Sequence, residues 1–336
     1  MRRLSTALIG AALFIPAALG AAPAQAACDP GERAIRFSHV VADKGHPKGE
    51  AAAEFAARVN AAFEGRYCVE VHASSSLFSD DEVLDAMVRG DVEMAAPSLS
   101  KFEAYTLAFR IFDLPFLFQD IAAVERFQTS PEGQAMKSSM RDKGILGLAY
   151  WHNGMKQLSA NRPIKAPADA AGLKFRIQAS DVLDAQFRAL GAEPVKLAFK
   201  DVYDALGDGR ADGQENTWTN IYTKKFYTRQ DGVTETNHGI IDYLVIVSRS
   251  FWEGLPAADR AGIEQILIEV THEYNRFSFE LNELAKMRIL ENGGTVRRLT
   301  KGDRERWIDA LTPVWRQFEG EIGARLIEAA LAANRG

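Results

Sequence analysis

The chain has 336 residues, 47% of them hydrophobic and 25% charged, with a formal charge of −5. That length accommodates two domains of roughly 100–200 residues each. A mildly acidic chain without a basic run is a poor match for nucleic acid or an anionic membrane surface.

Met1-Arg2-Arg3 is a charged start, Ala7 to Leu19 an apolar core, and Ala24-Gln25-Ala26 a small-residue cleavage pattern. Residues 1–27 therefore read as a signal peptide cleaved near Ala26, and the mature chain as exported. No later stretch approaches the ~20 apolar residues of a membrane span. Cys28 and Cys68 are the only cysteines. In an oxidising compartment they are expected to form one disulfide, with two free thiols as the alternative.

Ile35–Ser38 is the first predicted strand. His46 and Pro47 open a helix with Ala51, Phe55, Ala56 and Val59 on its apolar stripe. Val69–Ala73 is a second strand. Asp80 as N-cap and Gly90 as stop enclose a second helix, and Glu93–Ala96 is a third strand. This β-α-β-α-β order implies parallel pairing. Ile111–Phe118, broken by Pro115, reads as buried loop and core. Ile145–Trp151 is a strand, with a crossing into a second region at Trp151–Gly154.

The second region repeats the α/β theme. Leu173, Phe175 and Ile177 alternate with Lys174, Arg176 and Gln178, which predicts a strand with one apolar and one polar face. An arginine near the carboxyl end of such a strand stands where α/β proteins hold ligands, and its fork suits a carboxylate. A helix through Leu183–Leu190, another over Phe199–Leu206, and strands over Ala211–Glu215 and Ile241–Ser248 follow. From Pro256 a helical pattern runs to about Glu291 with only Gly262 inside it. Such a helix would have to bridge two domains. Asp303–Ala333 is expected to be helical again.

Catalytic signatures such as GxSxG, HExxH, GxGxxG or a Walker loop are missing. Ser98-Leu99-Ser100-Lys101 matches SxxK without its usual companions, so a hydrolase using Ser98 and Lys101 is a weak rival. The six histidines show no metal-ligand spacing. No cofactor or metal is expected, and a binder is favoured over an enzyme.

Several stretches resemble the solute-binding proteins of tripartite ATP-independent periplasmic (TRAP) transporters, the DctP type. They include Phe37–Val40, Pro47–Gly49, Ala95–Phe102, Phe112–Phe118 and Asn153–Gln157. Leu173–Arg176, Asp212–Asn216, Thr236–Gly239 and Phe251–Pro256 complete the set. Thr217–Tyr222 is the C4-dicarboxylate-like version of its segment. The resemblance implies a periplasmic-binding-protein-like α/β fold. Domain I would be 28–150 plus 242–281 and domain II 151–241 plus 282–336, with crossing segments, a long bridging helix and a ligand cleft between them. It implies that Arg176 clamps a substrate carboxylate and that Asn216 hydrogen-bonds the same group. Lys156 falls where some relatives carry a second cleft arginine, and Lys48 offers a cation from the first domain. Ser98, Phe199, Trp218, Tyr243, Trp151 and His238 are candidate lining residues. The implied ligand is a small organic acid, a C4-dicarboxylate such as malate, succinate or fumarate, with a monocarboxylate or sugar acid as runner-up. The implied setting is a monomer in the periplasm that delivers solute to small and large permease subunits.

Overall fold

A computed structural model of the protein describes residues 28–335, so the predicted signal peptide lies outside the described residues. In chain order the strands are β1 (Arg33–Ser38), β2 (Tyr67–His72), β3 (Met94–Ala95), β4 (Ile145–Met155), β5 (Gln157–Ala160), β6 (Lys174–Ile177), β7 (Glu193–Lys196), β8 (Gly213–Asn216), β9 (Gly232–Glu235), β10 (Ile240–Ser248) and β11 (Val296–Arg298). They form two sheets, ordered β2-β1-β3-β10-β4 and β11-β9-β5-β8-β6-β7.

The first sheet begins as expected: β1 pairs in parallel with both β2 and β3 across helical connections. His46 caps the helix Pro47–Ala62 by accepting the Lys48 N–H on Nδ1 at 3.1 Å. The next helix, Val83–Arg89, ends on Gly90 in the left-handed region, but Asp80 is not its cap. The helix starts after Glu82, and Asp80 instead accepts the Ser98 N–H at 3.4 Å. Ahead of β1, Cys28 and Cys68 form the expected disulfide, with Cα atoms 5.5 Å apart.

β10 lies between β3 and β4 and is buried along its whole length. Leu244 and Ile246 face one core with Phe112, Phe127 and Leu84, while Val245 and Val247 face another with Phe37, Phe55 and Trp151. A strand buried on both sides needs an apolar run rather than alternation, which is what 240–248 supplies. The second sheet is likewise covered twice. Phe175, Ile177, Phe187 and Trp307 fill one side, and Val202, Leu206, Trp218, Ile221 and Ile289 the other.

The chain passes between the sheets at three places, and between the lobes once more after Leu311. β4 leads into β5 with only Lys156 between them, and β9 leads into β10 through Thr236–Gly239. These two segments touch, the Lys156 N–H donating to Gly239 O at 2.7 Å. The third link is the helix Ala257–Glu291, continuous over 35 residues. Gly262 does not break it. A Cβ there would stand 2.8 Å from Phe63 Cζ, so any other residue would have to push that ring aside.

Two expectations need correction. The crossing comes at Lys156 rather than at 151–154, because β4 keeps pairing with β10 through Met155↔Ile240. The segment 303–333 is helical as expected, in several pieces. Pro313 ends the helix Lys301–Leu311 in a 3₁₀ turn, and Gly323, at φ 93°, separates Glu319–Ile322 from Ala324–Ala333. The stretch 282–336 does not belong wholly to the second lobe. Val314, Phe318, Ile322, Ile327 and Ala330 pack into the first lobe's core with Phe112 and Phe127.

Candidate functional site

The carboxyl ends of β6 and β8 face the first lobe across a small, nearly closed cavity. β6 contributes Arg176 and, just beyond its end, Gln178. β8 ends on Asn216, and the short helix Trp218–Thr223, capped by Thr217, holds Asn220 beside it. The opposite wall comes from Val40 and Val41 after β1, Asp80, Ser98, Lys101, and Ile241 and Tyr243 on β10. Phe199 closes one side.

Arg176 is 2% exposed. Its Nε and Nη2 both donate to Leu197 O, at 3.0 and 2.8 Å. Among the described residues no carboxylate reaches it within salt-bridge distance. Burial pushes its pKa down to about 10 despite the attraction of Glu215, Asp81, Asp80 and Asp201. Lys48 is wholly buried. Its Nζ donates to Ala96 O at 2.8 Å and sits 3.5 Å from the centre of the Tyr243 ring. Burial, with Lys224 adding to it against Asp80, lowers its pKa to about 8. Lys101 lines the cavity with its Nζ 2.5 Å from Asp81 Oδ1. Asp80 has its pKa raised by burial, opposed by Lys48 and Lys101. Three cations therefore stand near two acids, and among the described residues neither Arg176 nor Lys48 has an acid within salt-bridge distance.

Two further polar groups lack partners. Ser98 Oγ is buried and unbonded, and so are both ring nitrogens of His39. Burial first, and then Lys48 and Lys224, lower the His39 pKa to about 3, so the ring is neutral. Native interiors rarely leave such groups unsatisfied unless something else fills them. Lys101 is turned to Asp81 and Ser98 Oγ accepts nothing from it, so no nucleophile–base pair is formed between these two residues.

Of the residues expected from sequence, Arg176, Asn216, Ser98, Phe199 and Tyr243 line this cavity together. Lys48 stands behind Tyr243. Lys156, His238, Trp151 and Trp218 do not line it. Lys156 Nζ is 2.7 Å from Glu215 Oε1, and His238 Nε2 is 2.7 Å from Glu215 Oε2, all three wholly buried where the chain crosses between lobes. Burial raises the Glu215 pKa, but Lys156 and His238 outweigh it and hold the carboxyl at about 2. Trp151 is core beside Phe37, its Nε1–H donating to Thr271 Oγ1 at 2.9 Å. Trp218 packs with Ile221 and Ile289 in the second lobe.

The sequence reading did not single out Gln178, Asn220, Asp80 or Lys101 as ligand-facing. Gln178 was signalled by the polar face of its own strand and Asn220 by the Thr217–Tyr222 segment.

Residues 37–321 match the bacterial extracellular solute-binding protein family 7, DctP. The chain belongs to that family. A C4-dicarboxylate-binding periplasmic protein DctP of Vibrio cholerae is 55% identical over 328 residues, 98% of each chain. Its counterpart in Rhodobacter capsulatus is 43% identical over 303 residues, 89% of this chain and 90% of that one. A TRAP periplasmic solute-binding protein of Shewanella oneidensis, solved with bound succinate, superposes with a TM-score of 0.88 at 49% identity, covering 90% of this chain and 99% of that one. One from Pseudomonas aeruginosa, solved with bound L-malate, has a TM-score of 0.82 at 42% identity, covering 84% and 99%. The two-lobed α/β fold with a cleft between lobes is that of this family, whose members are solute-binding components of transport systems.

Proposed function

We propose that this chain captures a small C4-dicarboxylate, such as succinate, malate or fumarate, in the cavity between its lobes and hands it to a TRAP membrane permease. The observation that carries the proposal is Arg176, a buried guanidinium with a backbone carbonyl but no acid for a partner. In an open, wet cleft its charge is hydrated. Shutting the lobes over it without an anion costs several kcal/mol, because a desolvated charge is left uncompensated. A carboxylate supplies the partner, and Asn216 and Ser98 Oγ supply further donors. Moving a two-state equilibrium from mostly open to mostly closed takes about 5.5 kcal/mol of differential binding. A bidentate pair worth ~1.5–3 kcal/mol per charged hydrogen bond, plus the second carboxylate, is of that order.

Lys101, which lines the cavity while pairing with Asp81, and Lys48 behind Tyr243 are the cations nearest the second carboxylate, in place of Lys156, which pairs with Glu215 outside the cavity. Their side of the cavity is what favours a diacid over a monoacid. The similarity to periplasmic C4-dicarboxylate-binding proteins supports the same assignment. Export through a leader cleaved near Ala26, a monomeric state, and small and large permease subunits as partners belong to this proposal.

Isothermal titration of the mature protein with succinate, L-malate, fumarate, butyrate and gluconate tests it. The diacids should bind at least ~100-fold more tightly than butyrate. Equal affinity for butyrate and succinate, or preference for gluconate, would reject the dicarboxylate assignment.

A further inference from the structure

Asn216 reaches the cavity through a side chain that is a donor at one end and an acceptor at the other. Which end it presents decides whether a carboxylate or a hydrogen-bond donor is welcome. Its neighbours form one chain of hydrogen bonds, and both ends of that chain are backbone groups.

At one end the Lys48 backbone N–H donates to His46 Nδ1 at 3.1 Å. Nδ1 is thus an acceptor, and the proton of the neutral ring sits on Nε2. Burial and the Lys48 charge hold the ring neutral by pushing its pKa far down. His46 Nε2 then donates to Asn220 Oδ1 at 2.9 Å, and Asn220 Nδ2 donates to Asn216 Oδ1 at 2.6 Å. Asn216 Nδ2 donates to Gln214 Oε1 at 2.8 Å, and Gln214 Nε2 to Ser159 Oγ at 2.8 Å. Ser159 Oγ donates to Gln230 Oε1 at 2.9 Å. At the far end Gln230 Nε2 donates to the backbone carbonyls of Arg229 and Asp212, at 2.9 and 3.3 Å.

Every link runs in the same direction. Turning the Asn216 amide round would set its carbonyl against Gln214 Oε1 and its NH2 against Asn220 Nδ2. Turning the neighbours too only moves the conflict along the chain, until it meets the Lys48 N–H or the Arg229 and Asp212 carbonyls, which cannot turn. His46, Asn220, Asn216, Gln214 and Ser159 are all at least 97% buried, so water is not at hand to relieve the mismatch.

We propose that His46 and Asn220 are positioning residues that complete this one-way chain and oblige Asn216 to present its second N–H, not its carbonyl, to the cavity. The site then selects a carboxylate oxygen at this point and rejects a donor. This rests on the reading that the cavity takes a carboxylate. His46 belongs to the first lobe and Asn220 to the second, so the chain is complete only when the lobes are shut.

The test has two arms. Long-range 1H–15N spectra of the labelled protein, with and without succinate, read the His46 tautomer between pH 6 and 8.5. The proton should stay on Nε2 throughout when succinate is bound. Titration calorimetry then compares His46→Phe, Asn220→Leu and the double variant. Each single change should weaken succinate about 10-fold, and the double should be little worse than Asn220→Leu alone, because both cut the same chain. A proton on Nδ1, or losses that simply multiply, would overturn the proposal. Should His46→Phe fail to fold, the tautomer and Asn220→Leu still decide it. A wild type that ignores succinate while His46 keeps its Nε2 proton would sink the dicarboxylate reading and support the chain.

Discussion

Two buried cations of this protein receive opposite treatment. Lys156, at the crossing between lobes, is matched by Glu215, which His238 also holds. Arg176, on β6 of the second sheet, has no acid within salt-bridge distance among the described residues. A matched buried pair is dry, satisfied and indifferent to solute. An unmatched one makes the closed state depend on something from outside. The difference separates a joint, which must hold whether the cleft is empty or full, from a sensor, which must not be satisfied by the protein itself.

That contrast predicts a clean split between binding and stability. Arg176→Ala should weaken succinate by about 10²–10⁴-fold, two lost charged hydrogen bonds at ~1.5–3 kcal/mol each. The ligand-free melting temperature should hold or rise, since an unpaired buried charge is removed. Calorimetry beside a thermal melt reads both, and a large drop in melting temperature would break the comparison. Lys156→Met should do the reverse. Leaving Glu215 short of its main partner should cost about 3–5 kcal/mol in urea denaturation. Any loss of affinity should be the same for diacids and monoacids. The double variant Lys156→Met with Glu215→Gln should regain most of the stability. A diacid-specific loss would mean that Lys156 meets the solute after all.

The smallest effect concerns pH. Lys48 is pushed down to about 8 by burial, so its charge fades as pH climbs past that value in the empty protein. Succinate affinity should fall roughly 10-fold between pH 7.5 and 9.5, about the worth of one charged contact, and Lys48→Met should flatten that part of the profile. Stability moves the other way. Between pH 8 and the unfolded pKa of ~10.4 the unfolded chain holds the extra proton, so Lys48 contributes a gain in stability as pH rises. A Lys48→Met protein with the wild-type slopes in both measurements would show that this lysine is a bystander.

Local signals made much of this legible. The 173–178 alternation located β6 and put Arg176 near its carboxyl end, and the 241–248 apolar run announced a buried strand. The helical reading of 303–333 held, and Pro313 and Gly323 mark where that segment divides. What could not be read was pairing at long range. Lys156 and Glu215 are 59 positions apart, and nothing in either neighbourhood says that one charge cancels the other. Trp151 and Trp218 failed as site residues for a related reason. A large aromatic beside a crossing serves the core as readily as a cavity wall, and only packing distinguishes the two.

The continuous helix Ala257–Glu291 has a mechanical consequence. It is anchored in one lobe through Ile263, Leu267 and Val270 and in the other through Ala285 and Ile289. Between those anchors Asn282 donates to Asn153 O and accepts from the Thr219 N–H, tying the rod to both halves. A long helix without a proline or bulge bows gently rather than kinking. Held at both ends, it links the motions of the two lobes, so neither can turn without loading the rod that joins them.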